Sequence, residues 1–260
     1  MSGEALSGRR ILVVGGGQQG YGQEDPPVGI GRAIALLAAR QGAAVAVADL
    51  DREAAEATTG LVRDEGARGV VLAFDAAEEE ALADGLGRAA EALGGLDGLA
   101  MNTGIVGGWG LEHTSAEDWD RVFAVNVRGH FLACKHALPL MPAGGAIVLT
   151  SSTAALLPST SSIPAYGASK AALDGVCRHV GREAAARGVR VNIVMPGLID
   201  TPLGRLASQA QPDRDATPVP LGRQGTGWEV AEAASFLLSN AASYVSGQTL
   251  AVDGGLTNLS

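Results

Sequence analysis

Seven runs in this 260-residue chain are apolar nearly from end to end, and Ala-rich stretches of helical period separate them. Ile11–Val14, Ala44–Ala48, Val70–Phe74, Leu96–Met101, Ala146–Ser151, Val189–Val194 and Thr249–Val252 predict strands. Gly31–Gln41, Arg52–Glu65, Glu78–Leu93, a long stretch from about Ala116 to Leu140, Tyr166–Arg187 and Trp228–Leu238 predict helices. Strands without polar alternation have no face to turn to water, so they belong in a parallel sheet covered on both sides. Right-handed crossovers then give an α/β doubly wound parallel sheet, the Rossmann fold, with ligands beyond the carboxyl ends of its strands. No linker, fixed-period repeat or low-complexity block divides the chain. A single domain over 1–260 is expected, with a cofactor half at about 1–150 and a catalytic and substrate part at about 151–260.

Composition narrows the function classes. With 47% hydrophobic and 18% charged residues the chain is typical of a buried-sheet protein. A net charge of −9 argues against a non-specific hold on nucleic acid or anionic lipid. Cys134 and Cys177 have neither metal-ligand spacing nor a disulfide framework, and read as reduced residues in or near the core. The N-terminal "MSGEALSGRR" lacks an apolar stretch of signal-peptide length, and no segment is long enough to span a bilayer. A soluble cytoplasmic protein is expected. His113, His130, His136 and His179 show no metal-ligand spacing, so no metal site is expected.

The first strand leads into "GGGQQGYGQEDPPVGIG", residues 15–31. Gly15, Gly17 and Gly20 spell a literal G-x-G-x-x-G, but that motif works only where its last glycine opens a helix whose amides face a pyrophosphate. After Gly20, Gly22 and the tandem Pro26 and Pro27 forbid such a helix. Ile30, Ile34, Leu37 and Ala38 form a helical stripe. The phosphate helix is therefore expected to open at Gly29, Ile30 and Gly31, with Gly15 making the turn after the strand. Asp49 closes the second strand run 18 residues after Gly31, close to the ~20 expected of a carboxylate that grips the adenosine ribose hydroxyls. The plainer role, capping the next helix, suits Asp51 better. A carboxylate at 49 repels a 2′-phosphate, so NAD(H) is the expected cofactor, and Arg52 is the residue that would reverse this.

At 166–170 stands "YGASK". On a helix Tyr166 and Lys170 share a face, and an ammonium beside a phenol favours the phenolate. A group with an ordinary pKa of about 10 then serves as an acid/base near neutral pH. An ordinary surface pair has the same spacing, so context decides. "GGAIVLTSSTAALL" runs a strand into Ser151 and Ser152, where a sheet delivers side chains into its crevice.

With these motifs in order, the whole chain resembles the short-chain dehydrogenase/reductase family. "GIG" at 29–31 resembles its glycine motif. "FDA" at 74–76 resembles its Asp turn near adenine, which implies Asp75 and Ala76 there. "MNTG" at 101–104 is similar to its Asn-Asn-Ala-Gly signature, through Asn102 and Gly104. "VNV" at 125–127 resembles the segment with the active-site Asn, here Asn126, and Ser152, Tyr166 and Lys170 match the catalytic set. "MPGLIDTPL" at 195–203 resembles the Pro-Gly turn and Thr that meet the nicotinamide carboxamide, implying Pro196, Gly197, Ile199 and Thr201 at the cofactor and Leu50 beside Asp49. "YVSGQTLAVDGG" at 244–255 resembles the last strand.

The resemblance implies an NAD(H)-dependent oxidoreductase that interconverts a secondary alcohol and a ketone. In that role Tyr166 exchanges the alcohol proton, while Lys170 lowers the phenol's pKa and bonds the nicotinamide ribose. Ser152 stabilises the substrate oxygen, and Asn126 holds a water linking Lys170 to solvent. A homotetramer is implied too, packed through the helices after the fourth and fifth strands and through the last strand; three of the histidines, at 130, 136 and 179, fall on those helices. Two rivals stay open: an NADP(H)-dependent carbonyl or 3-oxoacyl reductase, and a non-catalytic dinucleotide-sensing protein on the same fold.

Three departures from the family stand out. Thirteen residues, 16–28, lie between Gly15 and the Gly-Ile-Gly where the family has three. Met101 replaces the first Asn of the signature. Ser152 and Tyr166 are 14 apart, one more than the family spacing; strict spacing selects Thr153, but one added residue in "LLPSTSSIP" is cheap in a loop. The segment "QQGYGQEDPPV" at 18–28 admits three readings: a tolerated surface excursion, a flap over the cofactor with Tyr21 as its contact, or a subunit contact. The substrate pocket is expected between Ile105–Trp109, Ala154–Leu157 and the polar, lid-like segment 198–225, with His113 near it. No basic cluster announces CoA or another phosphorylated group, so a neutral, fairly apolar alcohol or ketone is expected.

Overall fold

The computed structural model describes residues 4–158, 162–210 and 212–259. At its centre lies β1 (Arg10–Val14), with Ile11–Val14 buried on both faces. Successive strand side chains point to opposite sides. Leu12 and Val14 accordingly enter one apolar layer, Ile11 and Val13 the other. Parallel to it run β2 (Ala44–Asp49), β3 (Gly69–Ala73), β4 (Gly98–Met101), β5 (Ala146–Thr150) and β6 (Arg190–Pro196). A two-residue pair, β7 (Ile199–Asp200) with β8 (Gly225–Thr226), stands apart, and β9 (Thr249–Val252) closes the main sheet. The order is β3-β2-β1-β4-β5-β6-β9, all parallel. Chain direction across the sheet reverses between β1 and β4, which is where a doubly wound sheet opens its crevice.

Helices cover both faces, as the uninterrupted apolar strands require. On one side α1 (Ile30–Arg40), α2 (Arg52–Asp64) and α8 (Gly227–Leu238) pack on Ile11, Val13, Val45 and Val47. On the other, α3 (Glu79–Leu93), α5 (Gly129–Ala137) and α6 (Pro164–Ala185) pack on Leu12, Leu99, Ile147 and Val191. Between α3 and α5 runs α4 (Ala116–Phe123). Among the described residues no helix is long and apolar enough to cross a membrane. Cys134 and Cys177 are free and buried, and desolvation pushes their thiols up to about 12 and about 11.

Three differences from the sequence reading have physical causes. The fourth strand starts at Gly98 rather than Leu96, because the Asp97 carboxylate turns aside to accept from Arg10 N at 2.9 Å and Nε at 2.6 Å. The single helix expected from 116 to 140 is broken by a π-helical turn at Ala124–Arg128 and ends in a 3₁₀ turn at Leu138–Leu140. The polar segment 198–225 carries unforeseen order: α7 (Pro202–Ala210) opens on a proline, Gly204 N donates to Thr201 Oγ1 at 3.0 Å, and the β7–β8 pair ties the segment's two ends together.

The closest backbone approach decides where α1 can start. Gly15 turns the chain out of β1 at φ +74°, and a Cβ on Gly31 would lie 1.9 Å from the Gly15 carbonyl oxygen. Gly31→Ala is therefore expected to destabilise by about 1–3 kcal/mol through overpacking, lowering Tm by about 2–4 °C per kcal/mol. Gly87→Ala, on α3 with nothing within 4 Å, is expected to gain about 0.5–1 kcal/mol instead. Calorimetric melting of both variants checks the pair; a Gly31 variant as stable as wild type would show that the turn yields freely.

Candidate active site

The carboxyl ends of β1 to β6 open on one cleft of about 1160 Å³. Every residue expected at the cofactor lines it, from Gly15, Gly29, Ile30 and Gly31 through Asp49, Leu50, Asp75 and Ala76 to Asn102, Gly104, Pro196, Gly197, Ile199 and Thr201. Ser152, Tyr166 and Lys170 line it as well, whereas Asn126 lies fully buried behind it.

At the glycine end, the N-cap of α1 is Gly29, which offers no side-chain bond, and the first turn contains no acid. First-turn amides have no intrahelical acceptor and carry the positive end of the helix dipole. Gln18 Oε1 accepts from Gly29 N at 2.8 Å, and Asn102 Nδ2 donates to the Gly15 carbonyl at 3.1 Å, tying β4 to the turn. Gly20 lies in a stretch without helix, ten residues before α1, so the literal motif's last glycine opens no helix. Gly17, set aside with it, is used after all: its N–H donates to Asp49 Oδ2 at 2.9 Å, and a Cβ there would lie 2.7 Å from that oxygen. Burial holds the Asp49 carboxyl above the usual carboxylate range, against the amide bonds from Asp51 and Gly17. Asp51 caps α2 by accepting from Glu53 N and Ala54 N. Arg52 pairs with Glu56 at 2.8 Å and does not line the cleft. The buried Thr103 Oγ1, also in the cleft wall, has no partner among the described residues. A side-chain-free cradle, unused helix amides and an orphaned hydroxyl fit a nicotinamide dinucleotide.

At the other end, Ser152 follows β5, and its hydroxyl bonds the Tyr166 phenol while accepting from Ala154 N at 3.2 Å. Ser151 points the other way and donates to the Lys170 carbonyl at 2.9 Å. Thr153, the alternative by spacing, begins a 3₁₀ turn; residues 159–161 of the loop expected to hold the extra residue lie outside the described residues. Desolvation pushes the Tyr166 phenol up, and the Ser152 bond and the charge of Arg214 pull it down. Lys170 Nζ sits 5.6 Å from the Tyr166 ring centroid and donates to the Thr150 carbonyl at 2.9 Å. Burial lowers it to about 8. A Cβ on Gly104 would lie 3.0 Å from that Nζ, so a side chain here would press on the lysine's ammonium. Asn126 sits in the π-helical turn, where helix irregularity commonly marks function. Its Nδ2 donates to Ile105 O at 2.9 Å and Ser169 Oγ at 3.0 Å, and its Oδ1 accepts from Ile105 N at 2.9 Å.

Sequence reasoning missed Gly17, the Thr150 carbonyl, Ser169 and Arg214. Gly17 stood in the literal motif set aside and Ser169 inside the Tyr–Lys motif without a role, while Thr150 and Arg214 stand in no spaced motif; each is brought in by tertiary packing. The histidines fall outside the site. His113 and His179 are exposed, and His136 bonds Glu79 at 3.0 Å on the surface. His130 lies on α5, as expected, and faces the core. Among the described residues no group of three or more His, Cys, Asp or Glu is placed to hold a metal.

His130 is fully buried, and neither ring nitrogen has a well-formed hydrogen bond among the described residues. Desolvation, then the charge of Lys170, lowers it to about 3. Above pH 6.5 the ring is neutral whether the chain is folded or not. Between 6.5 and 3 the unfolded chain takes up a proton that the folded one refuses, so acidification costs the fold up to about 1.4 kcal/mol per pH unit. His130→Leu is expected to lose less stability than wild type between pH 7 and pH 5, read from urea midpoints. Equal losses would assign the acid sensitivity to other groups.

Comparison with known proteins follows the same lines. The family model described as "Enoyl-(Acyl carrier protein) reductase" matches residues 27–257. The 2-(S)-hydroxypropyl-CoM dehydrogenase 3 of Xanthobacter autotrophicus is 38% identical over 97% of this chain and 98% of its own. The cis-4-hydroxycyclohexanecarboxylate dehydrogenase of Sinomonas cyclohexanicum is 38% identical over 98% and 99%. A crystal structure of a short chain dehydrogenase from Burkholderia cenocepacia, in complex with NADP, superposes with a TM-score of 0.86 at 34% identity, covering 97% of this chain and 99% of that one. Fold, cleft and relatives agree, and the chain belongs to the short-chain dehydrogenase/reductase family of oxidoreductases.

Proposed function

We propose that this protein interconverts a secondary alcohol and a ketone with NAD(H), using Ser152, Tyr166, Lys170 and Asn126. The observation that carries the reading is the Ser152–Tyr166 hydrogen bond with the Lys170 ammonium 5.6 Å from the phenol ring. An ammonium beside the ring favours the phenolate over the phenol. Tyr166 takes the carbinol proton at its phenol oxygen, or returns it in the reverse direction. Ser152 holds the substrate oxygen, a role worth about 3 kcal/mol for one donor. Both Asn126 side-chain donors are spent on Ile105 and Ser169, so the relay water beside Lys170 rests on its main chain. The bound nicotinamide supplies or accepts the hydride. Gly15, Ile30 and Gly31 would hold its pyrophosphate, Asp49 and Leu50 the adenosine ribose, and Pro196, Gly197, Ile199 and Thr201 the carboxamide.

Two relatives are named for hydroxyl-bearing substrates, which supports the reaction class. Asp49 supports NAD(H), and Arg52, paired with Glu56, supplies no cation to the cleft. The second reading is NADP(H), favoured by the neighbour crystallised with it. We read the segment 18–28 as a flap, because Gln18, Gln19 and Tyr21 line the adenosine end and desolvation beside Asp49 raises the Tyr21 phenol.

Melting in saturating NAD(H) and in NADP(H) tests the cofactor. A ligand at a hundred times its Kd adds about 2.7 kcal/mol, so a rise of several degrees is expected with NAD(H) and none with NADP(H); the reverse pattern would overturn the Asp49 assignment. Tyr166→Phe is expected to keep that rise and lose about 10²–10⁴-fold in kcat. Retained turnover would sink the acid/base role.

We also read the protein as a homotetramer. Trp119 and Phe131 are exposed on α4 and α5, as are Tyr244 and Leu250 at the β9 edge. Light scattering is expected to give four times the mass of the 26.2 kDa chain; a monomer would contradict the assembly.

A further inference from the structure

Arg214 is assigned no ligand in the reaction described above, though its charge favours the Tyr166 phenolate, and it lines the cleft at the substrate end. It follows α7 in a 3₁₀ turn at Pro212–Arg214, and 17% of its side chain is exposed. Nη1 donates to Ser208 Oγ at 2.8 Å and lies 3.4 Å from Asp215. No hydrogen bond among the described residues uses Nε or Nη2. Asp215 is shared, accepting from Ser208 at 2.6 Å and Gln224 at 2.8 Å. A guanidinium carries five donors in a planar fork, so most of this one is unspent in a place that desolvates it. Of the other cations lining the cleft, Lys170 holds Thr150, Arg128 donates to Ala77 O at 3.0 Å beside the adenine turn, and Arg121 is exposed on α4. The same cleft is lined by the apolar Trp109, Leu157, Ile163 and Leu203, and a Cβ on Gly204, next to Leu203, would lie 3.3 Å from Arg214 Nη2. The charge also falls within electrostatic reach of the Tyr166 phenol, which places it near the reacting centre.

We propose that Arg214 anchors a carboxylate carried by the substrate, so that the alcohol or ketone is a hydroxy acid or keto acid whose acidic group lies away from the reacting carbon. The proposal rests on the alcohol–ketone reading of the cleft and replaces the neutral substrate expected from the sequence. A phosphorylated group needs a basic cluster; one carboxylate needs one fork, which binds it through two parallel hydrogen bonds.

Calorimetry with cyclohexanecarboxylate and cyclohexanecarboxamide tests this in the presence of NAD or NADP. The two ligands share a ring and differ in charge, and neither has a carbinol to react. Wild type is expected to bind the carboxylate at least tenfold more tightly, about 1.4 kcal/mol. Arg214→Gln is expected to bind both alike, and Arg214→Lys to keep part of the preference. A wild type without preference, or a Gln variant that retains it, overturns the proposal. A Gln variant that weakens both ligands by one factor also overturns it, assigning Arg214 to the fold of the lid. Turnover of alcohols is a separate readout: carboxylate preference without turnover leaves the anchor standing and removes the reaction.

Discussion

A carbonyl oxygen and a Cα without a side chain set the geometry on which the cleft depends. The approach of Gly31 to the Gly15 carbonyl presses the first turn of α1 against the turn leaving β1. Because the helix starts there, its unpaired amides face the crevice rather than solvent. The same turn is held on a second side by Asn102 and, two residues on, by the bond from Gly17 to Asp49. The glycine turn, the start of α1 and the Asp49 carboxylate are thus parts of one backbone arrangement. A side chain at Gly31 or Gly17 disturbs it.

The chemical end of the cleft is governed by dryness. Desolvation acts on both members of the Tyr–Lys pair, raising the phenol and lowering Lys170 to about 8. Burial therefore disfavours both charged forms, yet at about 8 Lys170 keeps most of its protons at neutral pH, and Ser152 and Arg214 pull the phenol back down. His130 fits the same logic. A second cation in the core beneath Lys170 would push the lysine's proton off, and the ring avoids this by staying neutral down to about pH 3. The π-helical turn aims Asn126 at the Ile105 backbone and Ser169, and Ser169 Oγ in turn donates to the Tyr166 carbonyl at 2.7 Å. Loop and helix are locked in one register.

Much of this was legible in the sequence because it is periodic or spaced. All-apolar strands announced a sheet buried on both faces, and the tandem prolines moved the helix start to Gly29. Spacing of four put Tyr166 and Lys170 on one face. What stayed hidden depends on contacts between distant segments. Gly17 is one glycine among several until the fold brings Asp49 to it. Arg214 is a lone cation in a polar stretch, with no spacing to mark it. The strand boundary at Gly98 follows from Asp97 meeting Arg10, 87 residues away. The order within 198–225 comes from a pairing of Ile199 with Gly225 that no local pattern encodes.

The segment 18–28 joins the two ends of the cleft physically. Gln18 holds the start of α1 and Gln19 donates to Asp51 at 2.7 Å, so the segment is fixed at the adenosine side. From the same segment Gln23 Nε2 donates to the Pro202 carbonyl at 2.8 Å, the first residue of α7. Asp25 lies within electrostatic reach of Arg205 on that helix. Any movement of 18–28 away from the adenosine end must break the Gln23 bond or carry Pro202 with it. α7 leads directly into the turn bearing Arg214, so that movement also shifts the cation facing the substrate chamber. Two binding regions at opposite ends of a cleft would ordinarily be independent; here a stretch of main chain without helix or strand couples them, because Gln18 and Gln19 bond it at one end of the cleft and Gln23 at the other.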